Sequence, residues 1–168
     1  GVELRLGSPA TSLDTGATLV GIGDGSEVSY DALVVATGGA ARMLPGTEHL
    51  TGVHALRTWD DALAVRSALD AGARTVVIGA GFIGSEVASS ARKRGLSATI
   101  VETLPVPLVR SVGEDMGTAC ADLHREHGTD LRCGETVDGL ESSADGAVTG
   151  VRLGSGEVVP ADLVVVGI

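Results

Sequence analysis

With 168 residues, 43% of them hydrophobic, the chain can form one ordinary domain with its own core, or one domain and part of another. A net charge of −10 and a single lysine, Lys93, argue against a nucleic-acid-binding or anionic-membrane surface. No apolar run approaches the ~20 residues of a membrane span, no signal peptide is visible, and 2% aromatic content leaves little for stacking bases or sugars.

In chain order, the first predicted element is an alternating strand, Val2-Glu-Leu-Arg-Leu6. Strands follow at 17–22 and 27–30, separated by the Gly23-Asp-Gly25 turn, and an apolar strand at 32–36. Residues 38–52 read as a loop. A helix is expected over 59–71, with Thr58 as N-cap and Asp60 and Asp61 in its first turn. A strand–helix–strand unit covers 75–101, with the helix over 82–94 and Gly95 ending it. A proline-containing loop at 103–110 leads to a helix over 114–127 and a strand at 130–133. Short strands at 135–140, 147–153 and 157–159 then precede a last apolar strand at 163–166.

The chain also matches itself at an offset of 130. Glu27-Val28 pairs with Glu157-Val158, and Leu33-Val34-Val35 with Leu163-Val164-Val165. In both copies a turn-rich meander feeds one apolar strand, which suggests two related nucleotide-binding domains in tandem. Both ends of the sequence fall in strands, and they read as cuts from a longer polypeptide. The first copy lacks its own strand–glycine-loop–helix, so residues 1–37 are expected to pack less well than 72–168.

The chemistry concentrates in Thr75-Val-Val-Ile-Gly-Ala-Gly-Phe-Ile-Gly-Ser-Glu86. This is G-x-G-x-x-G between a β-branched run and a helical pattern, the context a dinucleotide site requires. Gly79 permits the sharp turn, Gly81 lets a pyrophosphate approach the backbone, and Gly84 lets the helix pack close to the strand. The free N–H groups and dipole of the helix face the phosphates. Glu102 stands 18 positions after Gly84, close to the spacing of about 20 at which a carboxylate meets the adenosine ribose. That carboxylate would accept bonds from the ribose hydroxyls and repel a 2′-phosphate. Residues 103–107 supply no Arg or Lys to receive one, so NAD(H) is favoured over NADP(H).

Other chemistry is thinly represented. Cys120 and Cys133 have no C-x-x-C spacing, which fits reduced thiols in a cytoplasmic protein. His49, His54, His124 and His127 lack metal-ligand spacing, and no serine sits in a nucleophile elbow.

Several segments together resemble a family: Tyr30-Asp-Ala-Leu-Val-Val-Ala-Thr-Gly-Gly39, Leu44-Pro-Gly46, Leu56-Arg-Thr58 with Asp60-Asp-Ala62, Val76 to Glu86, Leu123-His-Arg125 with His127-Gly128, and Ala161-Asp-Leu-Val-Val-Val-Gly167. In this order they resemble the FAD-dependent pyridine nucleotide-disulfide oxidoreductases of glutathione-reductase type. The nearest branch is the ferredoxin, rubredoxin and putidaredoxin reductases.

The resemblance implies an α/β fold, a Rossmann-like parallel sheet with a β-meander. It divides the chain into a remnant of an FAD-binding domain at 1–38 and an NAD(H)-binding domain at 39–168, whose βαβ unit spans 75–102. It implies a reductase that takes electrons from NADH, through FAD in the full-length parent, to an iron–sulfur ferredoxin or rubredoxin. By that resemblance Gly79, Gly81 and Gly84 bind the pyrophosphate, Glu102 the ribose, and Arg110 lies near the adenine. Phe82 and Ile83 line the nicotinamide approach, and Glu86 orients the carboxamide. Thr37 and Gly38 lie by the FAD, and Gly167 belongs to the cofactor-binding set.

Each role has a plainer rival. Phe82 could serve only helix–sheet packing, Glu86 and Arg110 only the solvated surface, and Thr37-Gly38 only the end of a strand. Other readings of the chain are an NADH oxidase, a coenzyme A disulfide reductase, a nitrite-reductase flavin subunit, or an NAD-binding module without turnover. The family's FAD glycine loop and its Cys-x-x-x-x-Cys pair are not in this sequence.

Overall fold

The computed structural model describes residues 1–168, which divide into two compact units, Gly1–Gly39 and Ala40–Ile168. The first unit is an antiparallel meander of β1 (Ala10–Asp14), β2 (Leu19–Ile22) and β3 (Glu27–Ser29). Side chains build its turns. Asp14 Oδ1 accepts the amides of Gly16 and Ala17, both at 2.9 Å, and Asp24 Oδ1 accepts the amide of Ser26 at 2.9 Å. No residue of this unit is fully buried.

Two predicted strands do not form here. Residues 2–6 are irregular, with Val2, Leu4 and Leu6 exposed, and so are residues 32–36, where Val34 is 86% exposed. The expectation of an Ala-Thr-Gly strand before Gly38 is therefore corrected. An apolar parallel strand forms only against a neighbouring strand that takes its amides and carbonyls, and β1–β3 pair only with one another. Residues 1–39 hold no strand to flank 32–36.

The second unit is built on a five-stranded parallel sheet in the order β4-β11-β5-β6-β7. Its strands are β4 (Val53–His54), β5 (Thr75–Ile78), β6 (Ala98–Glu102), β7 (Asp130–Cys133) and β11 (Leu163–Val166). The helices are α1 (Trp59–Asp70), α2 (Phe82–Lys93) and α3 (Val109–Glu126). A second meander, β8 (Val137–Ser142), β9 (Val148–Leu153) and β10 (Val158–Pro160), stands apart in the order β10-β9-β8. The repeat seen in the sequence thus holds for the meanders and fails for the strand that follows them.

Strand alternation sorts the core onto two faces. Val77, Ile100, Leu163 and Val165 pack with Val65 and Leu69 of α1, Val87, Ala88 and Ala91 of α2, and Ala121 of α3. Val76, Ile78, Val101, Val164 and Val166 pack with Val148, Val151 and Leu153 of β9 and Val159 of β10. Burial on both faces explains why β5 and β11 read as unbroken apolar runs.

Local signals set the helix ends. Thr58 caps α1 in a capping box: its hydroxyl accepts from Asp61 N at 3.2 Å, while Asp61 Oδ2 accepts from Thr58 N at 2.7 Å. α2 ends in a Schellman motif, with Gly95 at φ 76° and the amides of Leu96 and Gly95 donating to Ala91 O and Arg92 O. α3 starts earlier than predicted. A single turn at 109–112 is split from the main helix by Gly113 at φ 80°, and the sequence pattern exposed only the part after that kink. At the opposite end of the sheet from the glycine loop, Arg74 Nε and Nη2 donate to Asp162 at 2.7 and 2.6 Å, tying the start of β5 to the start of β11. No helix is long and apolar enough to cross a membrane.

Candidate dinucleotide-binding site

β5 runs on to β6 and β7 on one side, while β11 and β4 flank it on the other. The loops leaving β5 and β11 therefore diverge at the carboxyl edge of the sheet, and such a divergence opens a crevice. A cleft of about 470 Å³ lies there, lined by Gly79, Gly81, Glu102, Arg110, Gly167 and Arg42 among others. Five of the sequence-predicted residues are thereby brought together from the ends of three strands and the first turn of α3.

The three glycines of the motif do different work. Gly79 has φ 101°, and a Cβ there would lie 2.6 Å from the carbonyl oxygen of Gly167. Gly84 is buried where α2 crosses β5. A Cβ there would run into the Gly79 carbonyl and lie 3.0 Å from Val77 Cγ1. Gly81 is under no such constraint: the nearest atom to its Cβ would be Gly167 O at 3.8 Å. The protein leaves space above Gly81 that a side chain would fill. The amides of Gly81, Phe82 and Ile83, at the start of α2, meet no acceptor within the chain. An open cradle of unsatisfied N–H groups at a helix N-terminus suits a pyrophosphate.

Glu102 ends β6 and turns toward this loop. Its Oε2 accepts from Ala80 N at 2.7 Å, and its Oε1 accepts from Leu104 N at 2.9 Å and from Thr103 Oγ1 at 3.2 Å. No sequence pattern announces these bonds, because they depend on the tertiary approach of β6 to the glycine loop. A carboxylate has about four lone-pair sites, so room for a ligand hydroxyl remains. Cys133 is the register neighbour of Glu102 on β7. Burial pushes its thiol above the usual range; the charge of Arg125 opposes that shift and Glu102 adds to it.

Two cations line the cleft. Arg110 was singled out from the sequence, whereas Arg42, some 60 positions upstream of Glu102, was not. Neither forms an ion pair within the chain. Leu44, from the Leu44-Pro-Gly46 segment, also lines the cleft, as do Glu135 and Val137, which no motif marks.

The remaining predicted residues lie elsewhere. Phe82 (59% exposed), Ile83 (39% exposed) and Glu86 project from the first turns of α2 without lining the cleft. Phe82 and Glu86 are four residues apart and so share a helix face. Thr37 and Gly38 belong to the first unit, are exposed and lie in no regular element.

A family model described as "Pyridine nucleotide-disulphide oxidoreductase" matches residues 1–168, and the chain belongs to that family. Rhodocoxin reductase of Rhodococcus erythropolis is 41% identical over 168 residues, which is 99% of this chain and 39% of that protein. The crystal structure of a covalent putidaredoxin reductase–putidaredoxin complex is similar with a TM-score of 0.86 and 39% identity, covering 96% of this chain and 40% of that one. A ferredoxin reductase structure from Rhodopseudomonas palustris also gives a TM-score of 0.86, at 35% identity, over 96% of this chain and 40% of that one. The chain spans about two fifths of the length of the curated relatives it matches.

Proposed function

We propose that this chain is the NADH-binding region of an FAD-dependent reductase that delivers electrons to a ferredoxin- or rubredoxin-type acceptor. The observation that carries this reading is the cleft at the carboxyl edge of the sheet, where Gly81 leaves an open cradle beside the α2 N-terminus and Glu102 stands at the end of β6. The names of the relatives support the electron acceptor: reductases of rhodocoxin, putidaredoxin and ferredoxin recur among them.

In this reading the nicotinamide, when bound, supplies a hydride to the flavin, and the chain supplies position and electrostatics. Gly79 and Gly84 shape the loop so that the amides of Gly81, Phe82 and Ile83 converge on the pyrophosphate. Glu102 accepts from a ribose hydroxyl and disfavours a 2′-phosphate. Arg110 lies at the adenine end. Phe82, Ile83 and Glu86 form the α2 face turned to the nicotinamide, with Glu86 orienting the carboxamide. Gly167 sits against Gly79 and closes the cleft floor. Thr37 and Gly38 are assigned to the flavin, and residues 1–38 to the FAD-binding domain, on the family resemblance.

Calorimetric titration of the chain with NADH and NADPH at fixed salt tests the core of this reading. Saturable binding that prefers NADH is expected. A preference for NADPH would overturn the role given to Glu102, and no binding of either would remove the nucleotide assignment for this chain.

A further inference from the structure

The Ala80 peptide is held from both sides. Its N–H donates to Glu102 Oε2 at 2.7 Å, and its carbonyl accepts from Leu108 N–H at 3.0 Å. Ala80 has no exposed surface, so without the carboxylate its N–H would be a buried donor lacking a partner. The second carboxylate oxygen takes Leu104 N–H at the start of the next loop. Leu108, at the end of that loop, is the one non-glycine residue of the second unit with positive φ, at 56°. A left-handed leucine persists only where its surroundings hold it. Those surroundings are visible: Val106 and Pro107 press onto α3 at Gly117, where a Cβ would lie 2.6 Å from Val106 Cγ2 and 2.7 Å from Pro107 O. Arg110 follows two residues later and lines the cleft.

We propose that Glu102 is a positioning residue as well as a ribose reader. Through the Ala80 peptide its carboxylate joins the glycine loop and segment 103–110 into one cradle, set before the ligand arrives. A preorganised loop spares the ordering cost that binding would otherwise bear. The two duties separate chemically. Holding Ala80 needs an oxygen acceptor at the right reach, while rejecting a 2′-phosphate needs negative charge. Glutamine with its carbonyl turned to Ala80 keeps that bond and loses the charge, and its NH2, which only donates, gives up the bond from Leu104 N–H; aspartate keeps the charge and falls one methylene short. Only the affinity arm of this proposal rests on reading the cleft as a dinucleotide site.

The test is residue-resolved amide exchange on the ligand-free chain, followed by NADH and NADPH titration, for the wild type, Glu102→Gln and Glu102→Asp. Ala80 protection should fall roughly tenfold or more in Glu102→Asp and stay near wild type in Glu102→Gln. NADH affinity should drop more in Glu102→Asp, while the preference for NADH over NADPH should narrow in Glu102→Gln alone. Unchanged Ala80 protection in Glu102→Asp overturns the proposal whatever the nucleotides do. Lost Ala80 protection with undiminished NADH affinity overturns it too, since the cradle would then not serve binding. Should the wild type bind neither nucleotide while Ala80 protection still depends on Glu102, the nucleotide reading fails and the brace stands.

Discussion

Gly81 and Gly84 are three residues apart in one motif, yet the structure constrains them in opposite ways. An added methyl at Gly84 strikes the Gly79 carbonyl and Val77, which cannot retreat without moving β5. Gly84→Ala should therefore destabilise the chain by about 3 kcal/mol or more, read by thermal or urea unfolding. An added methyl at Gly81 meets only an ordinary contact, with Gly167 O at 3.8 Å. Gly81→Ala should stay within about 1 kcal/mol of the wild type and lower NADH affinity roughly tenfold or more, read by titration. Equal stability losses in the two variants would mean that Gly81 is structural and that the cradle reading is wrong. The turn at Gly79 and the close packing at Gly84 were legible in the sequence because the motif's spacing, set between a strand and a helix, defines them. Arg42 and Glu135 were not, because the fold brings them to the cleft from distant segments without any local pattern. The bonds from Glu102 to Ala80 and Leu104 were equally invisible, since a carboxylate at a strand end looks the same whether or not it is already engaged.

At the scale of elements, the periodic and well-capped pieces were read from sequence nearly to the residue. α1 carries its N-cap and first-turn acids in plain view, and α2 its terminal glycine. β4 was missed because two residues show no alternation, and β1 because Ala10-Thr-Ser-Leu-Asp14 carries a single large apolar residue. The strand predicted at 32–36 shows the converse: its composition matches β11, but only β11 has β4 and β5 beside it. A matched pair of substitutions measures the difference. Val34→Thr should change stability by under about 0.5 kcal/mol, because Val34 is exposed. Val164→Thr places a hydroxyl at a wholly buried position between two strands and should cost about 1–3 kcal/mol. The Arg74–Asp162 link makes a separate prediction. Hydrogen bonding to Arg74 holds the Asp162 carboxyl at about 2, below its ordinary 3.8. Because the folded value is depressed, its contribution is complete above about pH 4 and is lost as pH falls through 2. The pair is half-exposed, so solvent screening limits the effect to about 1 kcal/mol. Asp162→Asn should flatten that part of the stability–pH curve relative to the wild type. A parallel decline in both proteins over pH 4 to 2 would show that the link contributes nothing.

For the whole molecule, the two units differ in what holds them. Residues 40–168 enclose their core between helices on one face of a sheet and a meander on the other, whereas residues 1–39 bury no side chain fully. Amide exchange should be fast throughout 1–39 and slow in β5, β6 and β11, and limited proteolysis should cut first within 1–39. Protection in 10–29 equal to that of β5 would contradict this. The sheet order carries a further consequence. β11 is hydrogen-bonded between β4 and β5, although more than 80 residues separate it from β5 along the chain. An interior strand is thus the last of the sheet's five to leave a ribosome. Until Leu163 to Val166 emerge, β4 and β5 face each other across a gap one strand wide, and the glycine loop has no Gly167 to rest against. Long-range closure of this kind is slow, so a polypeptide halted before β11 would display open strand edges and an unfinished cleft, the species a holding chaperone would meet during synthesis.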